Sequence, residues 1–583
     1  MAALAGLSGA HAILLASHLC ASGQVASVPQ LQSHFPGYLP LERVLRLFLT
    51  FLPESTEPQR YTPALQQLVD NTSYSLFAPV DGDIDVSSVK DLSETVVRKR
   101  VRKLRLLPLK YHGDDSPDST DLLTQFLIHR AHRIDTETSL QPLILELLLP
   151  FYQHSPNLRT WLISSLLPLL RLNYEYYPNQ DETFTVDLIE SMDDQTAINV
   201  LLSITGFQKD NMDLVRNLRG LIGPWLYGSN RSKRRRLNEE AQRNSLSVSQ
   251  DESGSQTARN AGWQSVNEWL LSRSLVDLES VVNAYTNWDG PQDVDLGGYE
   301  EANGQPDRDA LADLRLRHGQ SGLAVVYANP DTSRPALEGS IQIVTRIAQL
   351  LDLDKASFLV PTDRTTLPTV TLDTDTIPST SRASLLQNAL LRPLNPLTRP
   401  STASVSFLSA ILLSLQTLNE LGHFIPCRAA ANMCLHSNED MQLLDLRSVI
   451  ASTTRNTKSG RDWIKIRQQL LWLRDWQSGE GRSGPAYYGL FWRIPRDVVE
   501  TEILKALLEV RGKYKISLCV CFVTSADDTP EYNLAVGIYT DSMAAPLQTS
   551  QVETAVRDAI FTSYDNASNG NRTRGGMKRA YDM

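Results

Sequence analysis

Between Leu122 and Trp225 the apolar residues fall in leucine-dense blocks separated by short polar turns, as in "LQPLILELLLPF" and "LRTWLISSLLPLLRLNYEYY". Blocks that are apolar on more than one face must be covered on more than one side, so the pattern predicts stacked helices rather than a small bundle with a wet exterior. Upstream, Leu41, Val44, Leu45, Leu47, Phe48 and Phe51 recur at helical spacing until Pro53, which cannot continue a helical ladder. From Thr56 to about Pro117 the pattern weakens into turns and shorter helices. In "DLLTQFLIHRAHRI", Leu122, Phe126, His129 and Ile134 lie near one helix face. Pro142 suits a first helical turn, whereas Pro168, inside "SSLLPLLRL", must kink its helix or divide it in two. Asp193 or Asp194 is expected to cap a helix that begins near Thr196.

After Gly228 the composition changes to "SNRSKRRRLNEEAQRNSLSVSQDESGSQTARN", polar and without aromatics. We read residues 1–228 as an amino-terminal helical segment, 229–262 as a basic, disordered polar linker, and 263–583 as a continuing helical segment with loops. Trp263, Val266, Trp269 and Leu270 form an apolar stripe in the latter, and helical patterning recurs at Ala310–Ala328, Gly339–Leu353, Thr380–Leu391 and Ser401–Asn419. Prolines and threonines between Pro361 and Pro378 mark a loose connector. The expected fold class is all-α: an elongated, irregular α-solenoid of stacked helical hairpins interrupted by long polar loops. No fixed-length consensus is visible, which disfavours repeat scaffolds of strict period.

At 583 residues the chain exceeds what one hydrophobic core supports. Its 42% hydrophobic and 21% charged content excludes global disorder, and its net charge of -10 argues against a broad cationic face for nucleic acid. The local exception is Val96 to Lys110, "VVRKRVRKLRLLPLK", where Val97, Val101, Leu104 and Leu107 can share one side and leave the basic residues on the other. That run is either the solvated face of an amphipathic helix or a local site for an anionic partner. Cys20, Cys427, Cys434, Cys519 and Cys521 make neither a disulfide framework nor a metal pattern, which fits a reducing compartment. The apolar start lacks a basic region before it and reads as the first helix of the fold. With no run of eighteen apolar residues, no transmembrane span is expected.

Candidate chemistry is sparse. His129 and His132 are three apart and could face together with Asp135, but they lack a third well-spaced ligand. Asp193 with Asp194, and Asp352 with Asp354, are too close along the chain to face each other on a helix, and suit caps and turns. There is no phosphate loop ending in Gly-Lys-Ser/Thr and no G-x-S-x-G elbow. No catalytic residue, cofactor site or metal site is therefore assigned. The nine tryptophans mostly accompany leucines, where they either fill gaps between helical layers or anchor a partner.

The passages "FLIHRAHRIDTETSLQPLILELLLPF" (Phe126 to Phe151), "LRTWLISSLLPLLRLNYEYYP" (Leu158 to Pro178) and "LRGLIGPWLYG" followed by "KRRR" closely resemble the fungal secretory-pathway subunit of the Dsl tethering complex. This is the family related to the animal neuroblastoma-amplified protein. The passages "VNEWLLSRS", "NWDGPQDVDLGG", "FWRIPRDVVETEILKALLEVR" and "VRDAIFTSYDNASNGNRTRGGMKRAYDM" extend the likeness from about residue 120 to 583. The resemblance implies a helical rod, peripheral on the cytoplasmic face of the endoplasmic reticulum. Its implied partners are other vesicle-tether subunits and endoplasmic-reticulum SNAREs, with an indirect link to coated vesicles returning from the Golgi. It transfers no catalytic residue, and no partner contact maps onto a numbered residue. An unrelated helical scaffold, nuclear by virtue of "SKRRRL", and an unrecognised enzyme are the alternative readings.

One stretch departs from the pattern. "GKYKISLCVCFVTSADDTP" (Gly512 to Pro530) is β-prone and interrupts helical flanks; it reads as a translated retained intron or another gene-model error, the alternative being a genuine loop or strand insertion. The ending "NRTRGGMKRAYDM" lacks a closing amphipathic helix, so a truncated carboxyl end is expected.

Overall fold

The computed structural model describes residues 4, 6–70, 84–111, 121–179, 183–204, 213–227, 253–300, 308–353, 387–435, 438–456, 462–476, 489–509, 532–540, 545–567, 570, 572 and 575–582. Every regular element among the described residues is helical, as the hydrophobic spacing requires. The chain forms two compact units, one from Met1–Val266 with Pro291–Ala310 and the other from Asn267–Gly290 with Leu311–Met583. The boundary falls inside the helix Ser253–Ser274. Residues 253–262, at the end of the segment read as a linker, belong to that helix. The rest of that segment, the connector at 361–378 and the insert at 512–530 lie outside the described residues.

In the first unit, helix Gly9–Ala21 buries Leu14, Leu15, Ala16, Leu19 and Cys20, and helices Leu41–Phe51 and Glu94–Lys103 pack on it. The stripe in Leu41–Phe51 behaves as its spacing predicts: Val44, Leu45, Leu47 and Phe48 are fully buried. Each such side chain contributes about 1.5–3 kcal/mol relative to exposure, and this burial holds a helix too short to persist alone in water. Its carboxyl end is closed by Arg130 from helix Leu122–Thr138, which donates to the Leu52 and Pro53 carbonyl oxygens at 2.8 and 2.6 Å. A cation there also complements the negative end of the helix dipole.

Pro168 does not divide its helix, contrary to one of the two expectations for it. Helical structure runs without interruption through Pro156–Trp161, a π-helical turn Leu162–Leu166, Leu167–Leu170 and a second π segment, Arg171–Tyr176. The Leu167 amide bonds the Leu162 carbonyl five residues back. The proline thus follows a widened turn, which relieves the clash with the carbonyl four residues behind. The device recurs at Leu218–Ile222, where the Gly223 amide bonds Leu218 O and Pro224 comes next. These π-bearing helices pack against one another.

In the second unit, helix Leu278–Asn287 packs on Arg334–Leu350, which packs on Thr402–Glu420; the latter meets Cys427–Leu435 and Asp462–Arg474. Arg496–Glu509 then packs on Asp462–Arg474 and on Thr549–Asp565, which meets Gly575–Asp582. Each helix of this series packs on one that follows within a few helices along the chain, so the apolar surface is renewed from layer to layer. Thr402–Glu420 is long and apolar enough to cross a membrane by length and composition, but 78% of that stretch is buried within the protein. Its hydroxyls are internally satisfied: Ser409, Ser414 and Thr417 donate to carbonyls four residues back, and Trp476 Nε1 donates to Ser414 Oγ at 2.9 Å.

Candidate functional site: a polar clamp, a histidine pocket and a mounted basic ribbon

The paired π turns of the first unit are joined by Arg171. Its side chain is only 7% exposed and donates to Gly220 O at 3.0 Å, to Asp295 O at 2.7 Å and to Asp295 Oδ2 at 2.6 Å. Beside it, Arg219 on the second π turn donates from Nε to Asp293 Oδ2 at 2.8 Å. Gly220 is required for this approach, because a Cβ there would collide with the Tyr176 hydroxyl. The passages "LRTWLISSLLPLLRLNYEYY", "LRGLIGPW" and "PQDVDLGG" therefore converge in one place, and each supplies an arm of the clamp. Burial raises the Asp295 pKa, but the Gly297 amide and Arg171 outweigh it and hold the carboxyl below its usual value.

His129 and His132 do not form a metal pair. Among the described residues no cluster of three His, Cys, Asp or Glu suits a metal ion. The His132 Nδ1 lies 2.7 Å from Asp187 Oδ1, while its Nε2 lies 3.2 Å from Glu190 Oε2. The two carboxylates sit at opposite ring nitrogens, so no single ion could bridge both through this imidazole. The Glu190 oxygen is off the N–H line and acts through charge. Tyr111 stacks on His132 with ring centroids 3.9 Å apart, and its hydroxyl donates to Asp187 at 3.1 Å. Glu190 also accepts from Trp161 Nε1 and from the Ser165 hydroxyl. Burial pulls the His132 pKa down, but Glu190 and Asp187 more than offset this and the net shift is upward. His129 is shifted downward, chiefly by burial, and donates to Leu109 O at 3.2 Å. Asp135 turns elsewhere, accepting from Gln141 Nε2 and the Val186 amide at 2.8 and 2.6 Å.

The basic run begins as helix Glu94–Lys103 and continues in non-helical backbone to Lys110. Val97 is its only buried helical residue, and Arg98, Lys99, Arg100, Arg102 and Lys103 are all exposed. The run is firmly mounted. His11 Nε2 donates to Leu92 O at 3.0 Å just ahead of it. Arg46 donates to Leu106 O and Leu107 O, each at 3.0 Å, while the Leu107 amide donates to Thr50 Oγ1. His129 and Tyr111 hold the far end through the contacts already described.

The remaining candidates are structural. Asp193 caps the helix Asp194–Ser203 by accepting from the Thr196 amide at 3.1 Å. Asp352 occupies a turn at φ 47, and Asp354 and "SKRRRL" lie outside the described residues. Trp161, Trp225, Trp263, Trp288, Trp463 and Trp476 are buried, and Trp269, Trp472 and Trp492 are partly buried, which makes core filling their main role. Cys20, Cys427 and Cys434 are free and buried; burial pushes the Cys20 thiol up to about 12, away from reactive thiolate. A cavity between Val326, Thr332, Leu412 and Asn419 measures about 20 Å³, room for a single water rather than a substrate.

No curated protein matches the chain. The family model described as secretory pathway protein Sec39 matches residues 13–583 and takes in all three arms of the clamp, the histidine pocket and the basic ribbon. The chain therefore belongs to the Sec39 family of secretory pathway proteins.

Proposed function

We propose that this chain is a non-catalytic scaffold subunit of an endoplasmic-reticulum vesicle-tethering complex. In this reading it sits peripherally on the cytoplasmic face of the membrane and links other tether subunits to endoplasmic-reticulum SNAREs. The work done is spatial: several modest interfaces on one scaffold raise the effective concentration of vesicle and target components during Golgi-to-endoplasmic-reticulum retrograde transport. The observation that carries the reading is the Sec39 match over residues 13–583. The character of the polar groups supports it, since Arg130, Arg171, His132 and Asp135 of the first unit each bridge separate segments of the fold.

The test is affinity purification of the chain from native cells after gentle solubilisation, followed by protein identification. Recovery of tether subunits together with endoplasmic-reticulum SNAREs is expected. Recovery of neither, under conditions that preserve such complexes, would sink the reading.

A further inference from the structure

We propose that the basic ribbon Arg98–Lys110 docks directly on an anionic lipid bilayer. On the helix Glu94–Lys103, at about 100° per residue, the five cations from Arg98 to Lys103 span an arc of roughly 200° centred opposite Val97 and Val101. Val97 is buried and Val101 partly so, hence the charged arc points away from the protein. Arg105 and Lys110 continue the exposed charge along the non-helical part of the ribbon. Arg98 pairs with Glu94 at 2.5 Å, whereas Lys99, Arg100, Arg102, Lys103, Arg105 and Lys110 form no ion pair with the described residues.

Three properties select a membrane over other anions. The helical cations cover a broad arc and Arg105 and Lys110 carry exposed charge beyond the helix, so a small phosphate would engage only a few of them while a charged plane lies against a larger share. The helix is convex, and it presents neither the groove nor the strand edge by which peptides are usually gripped. Val96, 41% exposed, lies within the cationic arc, and Leu106, partly exposed, follows Arg105 in the non-helical part. Aliphatic side chains among lysines and arginines suit the boundary between headgroups and acyl chains. The hydrogen bonds donated by Arg46, His11 and His129, and the one Thr50 accepts from the Leu107 amide, fix the ribbon to the unit, so little ordering entropy is lost on contact.

This proposal goes beyond the tether assignment and is tested independently of it. The full-length purified chain is sedimented with phosphatidylcholine vesicles, with and without phosphatidylserine. The comparison includes the triple variant Lys99→Glu, Arg102→Glu, Lys103→Glu and a control of equal charge change, Arg334→Glu, Arg392→Glu, Arg399→Glu. Binding is expected only to vesicles containing phosphatidylserine and is expected to weaken with salt. The ribbon variant should lose at least about a hundredfold in affinity, roughly fivefold per residue, and the control should bind as the unaltered chain does. Equal binding to neutral vesicles, equal loss in both variants or no vesicle binding would each overturn the proposal. Binding to polyglutamate but not to vesicles, lost in the ribbon variant, would instead assign the surface to an acidic protein. A chain that binds vesicles yet recovers no tether subunits would keep this proposal and end the tether reading; the converse result would do the reverse.

Discussion

Arg171 and Asp295, 124 residues apart, meet through two hydrogen bonds, one to the Asp295 carboxylate at 2.6 Å and one to its backbone carbonyl at 2.7 Å. Arg171→Ala should destabilise the first unit by about 2–3 kcal/mol, because the Gly220 and Asp295 acceptors lose a charged donor. Asp295→Asn keeps the backbone acceptor and should cost about 1 kcal/mol, the Asp295 side chain being half exposed. Urea unfolding of the single and double variants measures both, and additive losses would contradict a coupled clamp.

Gly220 tests the close approach of the π turns. Gly220→Ala should cost about 1–3 kcal/mol through overpacking against Tyr176. Tyr176→Phe removes the hydroxyl nearest the added methyl, so combining the two should recover part of the loss in the same unfolding assay.

His318 makes the second unit acid-sensitive. Its ring stacks on Tyr285 at 5.0 Å and meets Trp288 edge-on at 5.0 Å, and Gly290, at φ 82, turns against it. Burial holds its pKa down to about 4, outweighing the raising effect of the Asp289 charge. The unfolded chain therefore binds the proton more readily than the folded one. Stability is full above about pH 6.5 and falls as pH drops toward 4, by about 3 kcal/mol in all. His318→Phe should flatten this dependence when urea midpoints are compared at pH 7 and pH 5.

His132 contributes with the opposite sign. Its folded pKa is raised, so its stabilisation is fully present below about pH 6.5 and is lost as pH climbs through the folded value. Asp187→Asn removes one of the two carboxylates and should lower the His132 titration midpoint, read by NMR of histidine-labelled protein. An unchanged midpoint would show that Asp187 does not hold the proton.

The parts of the molecule that were legible in the sequence are those governed by local periodicity. The Val44 to Phe48 stripe, the Asp193 cap and the Trp263 stripe depend on residues within one or two turns, and each lies where the spacing places it. Pro168 was legible only in part, because the rule for proline assumes an α-helical ladder and the π turn ahead of it changes the geometry. The clamp was hidden for a different reason. "GPQDVDLGG" reads locally as a polar loop, and nothing in it announces that Asp293 and Asp295 face arginines some seventy to over a hundred residues earlier. His132 likewise takes its partner from 55 residues away, where the sequence offered His129 and Asp135 as nearer companions.

The interleaving of the two units has a consequence for biosynthesis. The first unit needs Pro291–Ala310, yet Asn267–Gly290, which belongs to the second, leaves the ribosome before that segment does. Domains that fold strictly one after another as they emerge would not suit this order. The nascent chain must hold the Leu278–Asn287 helix in waiting until Arg334–Leu350 is made, and a ribosome that pauses between residues 290 and 310 leaves both units unfinished.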